Sequence, residues 1–432
     1  MKNLDYQHPL TPDWRLPTQI NKNGMLSFDT SELPELTNVT VLLEFHYTSS
    51  SKKKMGHIEM SHPDMTPEGR EHQQYYEAGQ KGRRYLNLSQ FSDLASVKLK
   101  AIDCQMDSDA HLLFFTNPSL EQGPTLIIAP HADDAELAAY GLYAKWHRNI
   151  WIVTLYAGET LQKLDKQYIP GLDNSIETGI QRKAAIRNWN SMTTPLLAGV
   201  PENQLVYLGY TGVTVENLLN EPEKAVTYGV GQNVNPTAFR RLNRISLSND
   251  LVGENSPRAM VSELAELLTR IQPVTVLVTD PEVDPHFEHR AAALALAMAM
   301  EQSQYHPRHV LMYVNHLRGI RDFPYGPEHT NTALAPFFSE YQKIKQVKVF
   351  SHHLTLEEQK AKVVSFNTMH DLKANLKFDK KLKRWWKEKR FGYGYRYYGN
   401  HTYFQTHIKA AEVFTVVEGL QFQQQLLKTT QK

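Results

Sequence analysis

A histidine and two adjacent carboxylates, His131, Asp133 and Asp134, stand where an apolar run, Thr125 to Ala129, gives way to a helix-like stretch from Ala135 to Arg148. Residues three apart at a helix start face one point, which makes His131 and Asp134 candidate ligands of a single metal ion. Zinc accepts imidazole nitrogen and carboxylate oxygen at ~2.0–2.2 Å, and a catalytic zinc takes three protein ligands with one position left open. The third is expected from Asp284-Pro-His286-Phe-Glu-His289, which follows a second apolar run, Val274 to Thr279, and precedes a second helix. His289 is the expected ligand, and His286, one turn away, faces the same cavity without having to bind. Asp133 is then available as general base for water acidified by the ion. His286, if protonated, stabilises a tetrahedral oxyanion and later returns a proton to a leaving amine. Together these residues describe amide hydrolysis.

Two styles of patterning must position them. From Met1 to about Asn117 the segments are short and alternate with period two, as in Val39, Val41, Leu43 and Phe45, which predicts a small antiparallel β-domain, a sandwich, over residues 1–118. After Gly123, strand-like runs alternate with stretches long enough for crossover helices. That predicts a Rossmann-like, mostly parallel α/β sheet in a domain covering 119–432, with ligands gathering beyond the carboxyl ends of its strands. Thr211 to Ser256 reads as an insertion of little periodicity, and a final helix is expected over His407 to Lys428.

Composition excludes some classes. The 432 residues exceed what one core comfortably serves. Lys and Arg total 47 against 46 Asp and Glu, so no global field argues for nucleic acid. Cys104, the only cysteine, rules out intramolecular disulfides and cysteine zinc sites. Met1 to Trp14 lacks the apolar core of a signal peptide, so a cytoplasmic location is expected. The longest apolar run, Ala291 to Met300, is about half of the ~20 residues a membrane span needs and reads as a buried helix.

Several motifs in this order resemble the PIG-L / LmbE-like zinc-dependent N-deacetylases. Pro130-His131-Ala132-Asp133-Asp134 is similar to their first motif, and His286-Phe-Glu-His289 to their later His-x-x-His. Thr154-Leu-Tyr-Ala-Gly158-Glu159, Val206-Tyr-Leu-Gly-Tyr210 and Ala411-Glu412-Val-Phe414 resemble three others, so the likeness covers roughly Pro124 to Val417. It implies zinc on His131, Asp134 and His289, with Asp133 as base and His286 opposite. Three features depart from the pattern: Glu288 where Asp is common, Thr211-Gly212 for the usual Pro-Asp, and Asp284 where some relatives carry Tyr.

The resemblance further implies removal of an N-acetyl group from an amino sugar of the GlcNAc type, within a glycan or glycolipid precursor. An amidase on another linkage, such as a sugar-thiol conjugate, and a catalytically silent glycan-binding protein are the alternatives. A basic aromatic region, Lys377 to Tyr398, fits a solvated face, contact with an anionic membrane surface, or single-stranded nucleic acid. The β-domain fits a structural cover or a carbohydrate-binding sandwich.

Overall fold

The computed structural model describes residues 2–63, 69–157, 161, 163–227, 235–318, 320, 322–339, 342–372, 378, 379, 382, 385, 386 and 403–428. Two compact units are formed, one from Met1–Pro118, Ile320–Val363 and Asn375–Val416, the other from Ser119–Gly319, Val364–Ala374 and Val417–Lys432. The first unit thus takes in two later stretches besides the N-terminal strands.

In that unit, nine strands precede residue 118 among the described residues: β1 Lys2–Asn3, β2 Trp14–Ile20, β3 Leu26–Ser27, β4 Val39–Ser49, β5 Gly56–Ser61, β6 Gln73–Tyr76, β7 Gln80–Asn87, β8 Lys98–Ile102 and β9 Cys104–Thr116. They build a six-stranded sheet in the order β1-β7-β4-β9-β2-β3 and a three-stranded one, β6-β5-β8. Pairing is antiparallel except for β1 beside β7. The predicted alternation is realised on both faces of β4 and β9. Val41, Leu43, Phe45, Leu112 and Phe114 join Ile58, Met60 and Tyr76 of the small sheet in one core. Leu42, Leu113 and Phe115 point the other way, into a core with Tyr6, Leu334 and Val349.

The second unit carries β10 Thr125–Ala129, α1 Asp134–Lys145, β11 Ile150–Tyr156, α2 Ile176–Thr193, β12 Leu205–Tyr210, α3 Val215–Asn220, α4 Pro257–Ile271, β13 Thr275–Thr279, α5 Phe287–Ser303 and β14 His309–Tyr313. Its strands pair in parallel in the order β12-β11-β10-β13-β14. Every residue of β10 and β13 is buried, as strands covered on both faces must be. Ile127 and Ile128, fully buried, each contribute roughly 1.5–3 kcal/mol of burial energy. The expected Rossmann-like sheet and antiparallel sandwich are both present. Helix α5 buries Ala291 to Ala297 completely or nearly so, as its alanine run predicted. No helix among the described residues is long and apolar enough to cross a membrane.

Two stretches differ from the sequence reading. Val215–Asn220 is helical within the presumed insertion, started by a capping box in which the Thr214 hydroxyl accepts from the Asn217 amide. Residues 407–428 are not one helix: Ala411–Glu418 is strand β16, antiparallel to β15 Lys348–His353, and only Gly419–Lys428 is helical. Val413, Thr415, Val416 and Val417 are β-branched, which favours the pleated alternative. On β16, Glu412 forms a buried ion pair with Lys362 at 2.8 Å. Gly158, Glu159 and most of the basic aromatic region lie outside the described residues.

Candidate metal centre

The sheet order places β10 and β13 side by side at the point where the chain's progression reverses. From β10 it runs outward through β11 and β12, then returns to β13 and continues to β14. Ligands of open α/β sheets gather beyond the carboxyl ends at such a switch point. Three neighbouring strand ends converge there: β10 leads into His131 to Asp134, β13 into Asp280 to His289, and β14 into Asn315 and His316.

His131, Asp134 and His289 are buried and meet. Asp134 Oδ2 lies 3.2 Å from His289 Nε2 and 3.3 Å from His131 Nδ1, and the two ring nitrogens are 3.3 Å apart. Donors arranged tetrahedrally around an ion at ~2.0–2.2 Å stand ~3.3–3.6 Å from one another, so the triangle matches the span of a zinc-sized ion. The donor set of two imidazoles and a carboxylate also suits such an ion. Attraction to the neighbouring carboxylates outweighs burial at both rings. Burial alone would lower both imidazoles, yet Asp134 and Glu288 raise His131 to about 9, and Asp134 and Asp284 raise His289 to about 10. Burial pushes the Asp134 carboxyl up, but His289 and His131 outweigh it and hold it well below the usual range.

The surroundings fix each donor atom. The far nitrogen of His131, Nε2, contacts Glu288 Oε2 at 2.7 Å, and that of His289, Nδ1, contacts Asp284 Oδ2 at 2.9 Å. Carboxylates behind imidazoles orient the ring and strengthen the ligand. Glu288 and Asp284, two of the three departures from the family pattern, therefore serve as partners of His131 and His289. Asn315 Nδ2 donates to Asp134 Oδ1 at 2.8 Å, and the His131 amide donates to Asp134 Oδ2 at 2.7 Å. Asp284 also accepts the amides of His286, at 3.0 Å, and His316, at 3.1 Å.

His286 sits at the edge of the triangle, its ring centroid 5.1 Å from that of His131 and 4.7 Å from that of His289. Its Nδ1 is buried without a hydrogen-bond partner among the described residues. Burial first, then the His289 and His131 charges, lower it to about 4, so the imidazole is neutral near pH 7 and offers an N–H rather than a full charge.

Two groups of donors converge among the described residues, His131 with His286 and His289, and Asp134 with His289 and His316, and Asp133 belongs to neither. It occupies the N-cap position of α1, yet its side chain makes no capping bond. Burial, then the charges of Asp134 and Asp371, push it to about 6, against the pull of Arg187. Adjacent carboxylates thus have opposite character, Asp134 firmly ionised and Asp133 poised near neutrality, the separation expected of a ligand and a base. Arg187 Nε pairs with Asp371 Oδ2 at 2.6 Å, and the Tyr168 hydroxyl donates to Asp371 Oδ1. These three come from distant segments, and nothing in their spacing announces them. His316 was detectable, since it follows a third apolar run on the same side of the sheet.

Further along, Gly209 has φ +73°, and a Cβ there would stand 2.9 Å from the Pro236 carbonyl oxygen. That accounts for glycine in the Leu-Gly-Tyr segment. Asp280 ends β13 in a turn where Oδ1 accepts the amides of Glu282 and Val283, while burial raises its carboxyl to about 7. Between 3.8 and about 7 the unfolded chain is ionised and the folded one still protonated, so this residue removes stability as pH rises through that window, by at most ~4 kcal/mol. Asp280→Asn keeps the acceptor and cannot ionise. Its melting temperature relative to the parent should climb from pH 4 to pH 7 and level off above; a pH-independent difference would contradict the assignment.

No curated protein matches the chain. Among solved structures it is similar to a deacetylase triple mutant of the teicoplanin biosynthetic pathway, at 12% identity over 68% of this chain and 98% of that one, with a TM-score of 0.34. A deacetylase–teicoplanin complex gives the same identity, coverage and TM-score. It is also similar to GalB, the 4-carboxy-2-hydroxymuconate hydratase of Pseudomonas putida KT2440, at 14% identity over 57% and 79% of the chains, with a TM-score of 0.32. Residues 126–300, the span that holds every donor of the triangle, match the family described as PIG-L, GlcNAc-PI de-N-acetylase, and form a PIG-L family domain.

Proposed function

We propose that this protein is a zinc-dependent hydrolase that removes the acetyl group from an N-acetylated amino sugar of the GlcNAc type, carried on a glycan or glycolipid precursor. The observation that carries the reading is the triangle of His131 Nδ1, Asp134 Oδ2 and His289 Nε2, with edges of 3.2 to 3.3 Å. The sugar is taken from the description of the matched family. Zinc is preferred over iron at a mixed nitrogen and oxygen site by intrinsic affinity.

An ion held by the three residues supplies Lewis-acid polarisation of the amide carbonyl and acidifies water to an apparent pKa of ~7. Asp133, raised towards neutrality and outside the donor set, takes the proton from the attacking water. His286 offers its partnerless Nδ1 side to the reacting amide. A buried polar atom without a partner costs roughly 1–3 kcal/mol, which a hydrogen bond to the developing oxyanion would recover. The proton held by Asp133 then passes to the leaving amine.

Acetate release from a panel of GlcNAc-containing compounds, by protein of measured zinc content, tests the proposal. Release that tracks zinc occupancy is expected. Stoichiometric zinc with no release from any N-acetyl sugar would refute the deacetylase reading and turn attention to another amide or to glycan binding.

A further inference from the structure

Asp134, His289 and His316 form a second group of donors, one ligand atom from each lying within 4.8 Å of the others. It shares two members with the triangle already described. His289 contacts Asp284 through Nδ1. Only Nε2 is therefore available as a metal donor, and it already faces Asp134 Oδ2. A single nitrogen serves a single ion, so both groups converge on one centre rather than two.

His316 is held in place from behind. Its amide donates to Asp284 Oδ2, the oxygen that also contacts His289. The preceding residue, Asn315, donates to the Asp134 oxygen that is turned away from the triangle. The His316 and His289 rings lie 4.9 Å apart between centroids, inclined by 37°. Donors sharing an ion at ~2.0–2.2 Å lie no more than ~4.4 Å apart, and the 4.8 Å within which these three donors lie is close to that reach.

Resting on the reading of the centre given above, we propose that His316 is a fourth protein ligand of the same ion. The centre would then offer three imidazoles and one carboxylate to the ion. The sequence marks this residue only by its place after a third apolar run.

Cobalt(II) is the probe, added to the full chain and to His316→Ala and His316→Asn. Cobalt affinity is measured by competition with a chromophoric chelator, and coordination by the visible absorption bands. Both variants should bind cobalt at least ~10-fold more weakly, since even partners behind a ligand are worth ~10–100-fold, and should show altered bands that added imidazole restores in His316→Ala. Unchanged affinity and bands would overturn the proposal. Weakened affinity with unchanged bands would overturn it too, leaving His316 to orient its neighbours. If neither variant folds, spin-echo spectroscopy of the copper(II)-loaded parent counts coordinated imidazoles directly: three are expected, and two would refute it. A parent chain that binds neither metal would instead remove the centre itself.

Discussion

Asp133→Asn should keep its full metal content and lose roughly 100- to 10,000-fold in acetate release, the range associated with removing a general base. Metal retention follows from geometry, because Asp133 is outside the donor groups and Asp134 supplies the oxygen of the triangle. Folding should be preserved, since the Asp133 side chain makes no capping bond to α1 and the amide is nearly isosteric. Loss of turnover then reports proton transfer alone. A variant as active as its parent would return Asp133 to a structural role and move the base elsewhere.

The second large effect is expected at His289. His289→Ala removes the one imidazole that both donor groups share, and metal affinity should fall by more than ~100-fold, with activity following occupancy. Asp284→Asn, which alters what stands behind His289 and what holds the amides of His286, Asn315 and His316, should lose ~10–100-fold. Binding to the folded state alone stabilises by ~4 kcal/mol at a thousandfold excess over Kd, so a chelator should lower the melting temperature of the parent and leave that of His289→Ala unmoved. Elemental analysis and thermal unfolding with and without chelator read both quantities. Stoichiometric zinc in His289→Ala would dismiss the triangle as the metal site.

Much of the centre was legible because its chemistry is local. His131 and Asp134 are brought together by a single turn after β10, and His286 and His289 by a single turn after β13. The apolar runs that end at each motif identified the strands, since a strand covered on both faces cannot tolerate polar residues. What the sequence concealed depends on distance along the chain. Glu288 appears as a mere deviation until the fold sets it 2.7 Å from His131. Arg187, Asp371 and Tyr168 meet only through tertiary packing. The strand at Ala411–Glu418 was misread as helix because its buried face joins a core that local periodicity does not reveal, while its β-branched residues carried the contrary signal.

The four contacts of Asp284 mean that the imidazoles of this centre are not independent variables. One carboxylate touches His289 and holds the amides of His286, Asn315 and His316. Effects measured at neighbouring, coupled positions do not sum. Once Asp284 is replaced, a further change at His316 or His286 acts on side chains already released from their common anchor and should subtract less than it does from the parent. Epistasis of that kind would make Asp284 the residue through which substitutions at this site constrain one another.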